Sequence, residues 1–239
     1  MDSNEIRLNK FLASRLGLSR READEIIAAG KVKIDGKTAK LGAKLDKNQK
    51  VCYNGIIVPF RTEFLYLAFN KPVGYVCSRR AQGSAPTIYE LLPEKYQHLK
   101  TVGRLDKDSS GLILLTNDGD FAFQMTHPKF HKEKVYEVEL NKSLEPLHQQ
   151  MISDFGIMLD DGPSKFTVIR DDSVSDELKP RYTAILSEGR NRQIRRTFAA
   201  LGYRVIKLHR TKFGKYILDG LKEGDYAIIK KTIVSKTLL

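Results

Sequence analysis

Residues 101–119 read TVGRLDKDSSGLILLTNDG. The stretch opens as a short strand and passes into a polar loop. It then enters the unbroken apolar run LILLT (112–116), bounded by the turn signal Asp118-Gly119. An apolar run of that length between turn signals fits a strand buried on both faces. Three charged side chains, Arg104, Asp106 and Asp108, are thereby held in a short loop between rigid elements, where reactive groups tend to sit. The flanking cations Arg104 and Lys107 favour an ionised Asp106, able to act as nucleophile, general base or metal ligand. A turn aspartate bonded to its own backbone is the plainer alternative, and these residues alone leave both open. No third acidic or histidine ligand stands nearby at a recognised spacing, so no metal site is expected.

Outward from this loop the pattern is mostly strands with helices at irregular intervals. FLYLAFN (64–70), KVYEVEL (134–140), KFTVIR (165–170), RYTAILSE (181–188), YRVIKLHR (203–210) and DYAIIK (225–230) read as strands. TIYELLP (87–93) and residues 121–125, with Asp120 as cap, read as short helices. SLEPLHQQMISDFGIML (143–159) reads as helix then loop. NRQIRRTFAALG (191–202) reads as a helix stopped by Gly202, with Arg192, Arg195 and Arg196 on one face. The expected fold class is α+β, on a large mixed, mainly antiparallel sheet.

The first sixty residues form a separate pattern. Residues 6–16 place Ile6, Leu8, Phe11, Leu12 and Leu16 on one helical face. Ser19 and Glu22 make the spacing of a capping box for a second helix that ends at Gly30. Val32 and Ile34 alternate with lysines ahead of the tight turn Asp35-Gly36. Further strands are expected near 37–40 and 50–58. Pro59 to Glu63 reads as a linker, which puts domains at 1–60 and 64–239.

The chain of 239 residues carries 41 Lys+Arg against 29 Asp+Glu, a net charge of +12, and the cations are clustered. Residues 187–216 hold nine Lys+Arg and the single acid Glu188. That is the electrostatic footprint of a nucleic-acid binder, although a cytosolic enzyme of anionic metabolites would also carry basic surface. The 41% hydrophobic content excludes wholesale disorder. Cys52 and Cys77 form no CxxC, which argues against a disulfide scaffold or zinc knuckle. With no apolar leader or membrane-length run, a cytoplasmic protein with no membrane partner, monomeric by default, is expected.

RLNKFLASRLGLSRREADEIIAAGKVKIDGK (7–37) resembles the RNA-binding module first known from ribosomal protein S-four, the alpha-L motif. Its basic residues Lys10, Arg15, Arg20, Arg21, Lys31 and Lys33 are the candidate RNA contacts. GRLDKDSSGLILLTNDG looks like the signature of the RsuA/RluB/RluE/RluF family of pseudouridine synthases. FNKPVGYVCS (69–78), EKVYEVEL (133–140) and EGRNRQIRRTFAALGYRVIKLHR (188–210) agree with that family in order. A departure is Thr197-Phe198, where many relatives have Met or Leu first. The resemblance implies isomerisation of a uridine in structured RNA: the glycosidic bond breaks, the uracil turns, and a C–C bond forms at the same sugar carbon. No cofactor or metal is implied. Asp106 becomes the catalytic carboxylate, Tyr136 the ring stacked on uracil, and Arg195 the partner of Asp106. Arg190, Arg192 and Arg196 go to RNA backbone or pocket support, and Arg104 to filling the vacated stack. Ribosomal RNA, the large-subunit RNA first, is the expected substrate. A tRNA-directed synthase and a non-catalytic ribosome-assembly factor are the alternatives.

Overall fold

A computed structural model describes residues 5–60, 63–79, 83–173 and 180–231. The chain divides into two compact units, Met1–Leu65 with Asn117–Gly119, and Tyr66–Thr116 with Asp120–Leu239.

The first unit runs β1 (Ile6–Arg7), α1 (Leu8–Arg15), α2 (Arg20–Ala28), β2 (Val32–Ile34), β3 (Lys37–Thr38), β4 (Lys44–Leu45), β5 (Val51–Tyr53) and β6 (Ile56–Val58). The amphipathic segment begins as a strand rather than a helix: Ile6 and Arg7 pair with β4, and only then does α1 start. The capping box at α2 is formed, with the Glu22 amide donating to Ser19 Oγ at 3.1 Å and the Ser19 amide to Glu22 Oε2 at 2.6 Å. Asp35 and Gly36 both take positive φ, the twist-matched turn that closes β2 onto β3. Leu8, Phe11, Leu12, Ala23, Ile27 and Val51 make the core of this unit.

The second unit continues with β7 (Tyr66–Lys71), β8 (Lys100–Val102), β9 (Ser110–Thr116), α3 (Gly119–Thr126), β10 (Lys134–Leu140), α4 (Pro146–Gln150), β11 (Ile157–Leu159), β12 (Gly162–Ser164), β13 (Thr167–Arg170), β14 (Arg181–Leu186), α5 (Gln193–Ala200), β15 (Val205–Phe213), β16 (Tyr216–Ile217) and β17 (Tyr226–Ile228). Nine strands form one sheet in the order β13-β14-β10-β15-β9-β7-β17, with β8 on β9 and β16 on β15. The β15–β9 contact is parallel and the other pairings are antiparallel, so the sheet is mixed and mainly antiparallel. All seven residues of β9 are buried, as its apolar run demands. Where the sequence suggested a loop after α4, the chain makes a π-turn at Met151–Phe155 and then the β11–β12 hairpin. Two apolar clusters flank the parallel contact. Val138, Tyr182, Phe198 and Leu208 belong to one, and Leu112, Leu114, Phe121 and Phe213 to the other.

The parallel contact rests on one glycine. A Cβ at Gly111 would lie 2.3 Å from the Arg210 carbonyl oxygen and 2.5 Å from its amide nitrogen, and φ there is +104°. Only a residue without a side chain lets the two backbones meet. Gly111→Ala is expected to cost about 2 kcal/mol or more from backbone conflict plus unfavourable φ. That corresponds to a Tm fall of about 4–8 °C at this size. Gly224→Ala, at φ +85° with open space around it, is the control for φ alone. Equal losses in the two variants, read by thermal unfolding, would refute the close-approach argument.

Candidate active site

The loop Gly103–Ser109 is tied down from several directions. The Leu105 amide donates to Cys77 Sγ at 3.4 Å, the Gly74 amide to the Lys107 carbonyl at 2.7 Å, and the Ser109 amide to the Asp106 carbonyl at 3.1 Å. Lys71, fully buried at the end of β7, donates from Nζ to the carbonyls of Ser109 at 2.6 Å and Pro72 at 2.9 Å. It ties the loop to the sheet, and burial lowers its pKa. Asp106 is thus carried by a braced backbone, with its side chain about one-third exposed.

Asp106 lines a cavity of about 340 Å³ together with Arg104, Lys134, Tyr136, Arg192 and Arg210. The volume is at the lower end of small-molecule pockets, enough for one flipped nucleotide rather than a duplex. Lys134, Tyr136 and Val138 share one face of β10. Val138 is in the core, and Lys134 and Tyr136 are half-buried. Tyr136 therefore stands where that face passes from core to cavity and serves both: its ring packs on the core and borders the pocket.

The arginines sort differently from the sequence expectation. Arg195 is directed to Asp108 rather than Asp106: it donates to the Asp108 carbonyl at 2.7 Å and to the Val205 carbonyl at 2.9 Å, and its Nε lies 3.3 Å from the Asp108 carboxylate. The ion pair recorded for Asp106 is with Arg192, at 3.9 Å. Arg192 is not on the helix. It precedes α5 with φ +45°, a left-handed conformation unfavourable for a bulky residue, and grips Asp108 with two bonds of 2.9 and 2.7 Å. That bond, reinforced by Arg195, holds the Asp108 carboxyl below the usual carboxylate range. Such a strained residue over-determined by its partners is characteristic of functional sites.

Arg190 and Arg196 are braces, not open phosphate ligands. Both bond Asp161 in the β11–β12 turn, Arg190 at 2.9 Å and Arg196 at 2.7 Å, and Arg190 also donates to the carbonyls of Gly162 and Pro163. They fasten α5 and the loop before it to that hairpin. Arg104 is exposed at the cavity rim. In the first unit, Arg20, Arg21, Lys31 and Lys33 are exposed and Lys10 is half-buried. Arg15 turns inward instead, donating to the Phe60 carbonyl and lying 5.4 Å from the Phe11 ring centroid.

Two cavity-lining side chains, Arg210 and Lys134, carry no local sequence signal. Arg210 is almost fully buried beneath Tyr136, 5.9 Å from that ring and 4.8 Å from the Phe213 ring, with Nε donating to the Leu112 carbonyl at 2.7 Å. Lys134 borders the cavity beside Arg210. Burial, then repulsion from Arg210, lower its pKa to about 8, with Glu188 opposing. Among the described residues no group of three or more His, Cys, Asp or Glu could hold a metal ion.

A partly exposed carboxylate beside arginines, an aromatic wall and a basic pocket sized for one nucleotide fit an enzyme that acts on nucleic acid. The chain matches the family model for RNA pseudouridylate synthase over residues 65–200 and that for the S4 domain over residues 6–51. It is 38% identical to the ribosomal small subunit pseudouridine synthase A of Pasteurella multocida, over 92% of this chain and 94% of that one. It is 37% identical to the ribosomal large subunit pseudouridine synthase B of Bacillus subtilis, over 92% and 90% of the two chains. A solved structure described as a pseudouridylate synthase superposes with a TM-score of 0.66 at 33% identity, covering 94% of this chain and 96% of that one. The chain belongs to the RNA pseudouridylate synthase family, on the RsuA/RluB branch, and carries an S4 domain ahead of the synthase domain.

The lowered pKa of Lys134 has a direct readout. Its amine is expected to react with an acylating reagent with a midpoint near pH 8, well below an ordinary lysine near 10.5, when labelling is followed by peptide mass spectrometry. A midpoint matching the exposed lysines would mean that burial at the cavity does not govern this side chain.

Proposed function

We propose that the protein converts a uridine of ribosomal RNA to pseudouridine, the large-subunit RNA first. Residues 1–60 dock on the RNA, and residues 64–239 do the chemistry. What carries the reading is Asp106 on a nucleotide-sized pocket beside Tyr136 and a set of arginines. The names of both compared relatives specify a ribosomal subunit, one small and one large, which supports ribosomal RNA as the substrate class.

The reaction asks for few parts. The target uridine leaves its stack at a cost of a few kcal/mol, and Tyr136 offers a ring face to the extruded uracil. Asp106 acts at the nucleotide, either by adding to sugar or base or by removing a sugar proton. The bond from uracil N1 to C1′ breaks, the ring turns, and C5 bonds to C1′. C5 loses its proton and N1 gains one, so the product is an isomer and no oxidant, reductant or co-substrate is consumed. Arg192, held by Asp108, places a cation beside Asp106. Arg195 holds Asp108 and, through it, Arg192, and so acts as a positioning residue. Arg104 at the rim is the side chain placed to fill the vacated stack.

Asp106→Ala should abolish pseudouridine formation while RNA binding stays nearly intact, because the cations that meet phosphate are untouched. Carbodiimide-dependent primer stops on large- and small-subunit RNA and on tRNA read this out. A stop with wild type only identifies the uridine. Stops on tRNA alone would make the protein a tRNA enzyme, and none on any RNA would favour an assembly factor without catalysis.

Phosphate contacts should make binding weaken steeply with salt. Replacing Arg20, Arg21, Lys31 or Lys33 singly with Ala should reduce the slope of log K against log salt by about 1 for each true phosphate contact. An unchanged slope in all four variants would remove the docking role of the first unit.

A further inference from the structure

The cavity wall has an outer side that the reaction does not use. Thr126 at the end of α3 and Pro128 just beyond it both line the cavity. The same few residues gather three aromatic rings. The centroids of Phe123 and His127 are 4.7 Å apart, those of Phe123 and Phe130 5.7 Å, and those of His127 and Phe130 6.4 Å. Lys129 sets its ammonium 5.3 Å from the Phe123 ring and 4.9 Å from the Phe130 ring. Phe123 is 44% exposed, and His127 and Lys129 are exposed as well. The cluster is rigidly presented: the His127 amide closes onto the Phe123 carbonyl at 2.9 Å, and the Phe130 amide onto the His127 carbonyl at 3.1 Å.

We propose that Phe123, Phe130 and Lys129 form a stacking subsite for an unpaired RNA base adjacent to the target uridine. The proposal rests on the RNA reading of the pocket and deepens it. Flipping one nucleotide out of a stack strips its neighbours of a stacking partner, so a second exposed π-face beside the pocket has a natural occupant. The exposed Phe123 ring and the half-buried Phe130 ring beside a cation match the chemistry of single-strand recognition: the ring stacks on a base of any sequence and the cation meets the phosphate. The cluster is continuous with the cavity through Thr126 and Pro128, so one RNA strand can occupy both.

The test uses the full chain and a uridine hexanucleotide carrying one 2-aminopurine. Wild type should quench the 2-aminopurine on binding. Phe123→Leu, which keeps apolar bulk but removes the π-face, should lose the quench and about ten-fold in affinity. Phe123→Trp should restore both. Because the chain has no tryptophan, that variant also provides a single indole whose emission should change on binding. No quench with wild type, an unchanged quench in Phe123→Leu, or an indole that does not respond to RNA would each overturn the subsite. Ribosomal RNA modification by the same preparations is scored separately. Modification without a quench sinks the subsite alone, and a quench without modification sinks the proposed reaction alone.

Discussion

The architecture depends on the contact of two backbones at Gly111 and Arg210. The sheet is two antiparallel halves, and the parallel contact of β9 with β15 joins them. A single pair of strands meeting at so few residues needs closeness to be worth anything, and the missing Cβ at Gly111 supplies it. The same contact positions the chemistry. The loop bearing Asp106 feeds directly into β9, and Arg210 on β15 supports Tyr136, its partner across β10. The carboxylate and the aromatic wall come from opposite halves of the sheet, so their separation is set where the halves join.

Around that joint the charges are arranged in tiers. Lys71 bonds backbone carbonyls, a role that an ammonium with its desolvation cost can fill only if its donors are met. Asp108 absorbs the two arginines nearest the loop, and Asp161 absorbs two more. Bidentate arginine–carboxylate bonds fix orientation as well as charge: Arg192–Asp108 joins the two loops of the site, and Arg196–Asp161 ties the hairpin turn to α5. Asp106 is left about one-third exposed, at 3.9 Å from Arg192, without a close bidentate grip. On the proposed reaction, a carboxylate that must meet a nucleotide cannot be saturated by its own protein, and the neighbouring Asp108 takes that saturation instead.

Much of this was legible wherever the signal is local. The Ser19–Glu22 box, the Asp35-Gly36 turn and the buried run of β9 depend on residues within a few positions of one another, and each is formed. The Asp106 loop was visible as a polar interruption between strands. What the sequence hid depends on long-range register. Arg210 and Lys134 reach the cavity because β10 pairs with β15, with a shift between Val135 and Tyr136. The left-handed turn at Arg192 has no compositional mark, so a helical face joining Arg192 to Arg195 was the natural reading until the backbone broke it. Asp161 lies 29 and 35 positions from Arg190 and Arg196, so its bonds to both, which favour pocket support for the two arginines, carry no local mark.

This sorting bears on how a basic protein divides its cations. A net charge of +12 suggests a uniform attraction for phosphate, yet the arginines nearest the pocket are mostly neutralised in place. Open cations include Arg104 at the pocket rim, Lys129 at the aromatic cluster beyond it, and Arg20, Arg21, Lys31 and Lys33 on α2 and the first hairpin of the S4 domain. Long-range attraction needs only net charge, whereas a fixed pocket needs its arginines paired so that they do not follow the phosphate backbone. On the proposed reading, arginines paired within the pocket and cations left open outside it let one chain bind RNA and still hold a single nucleotide in one orientation.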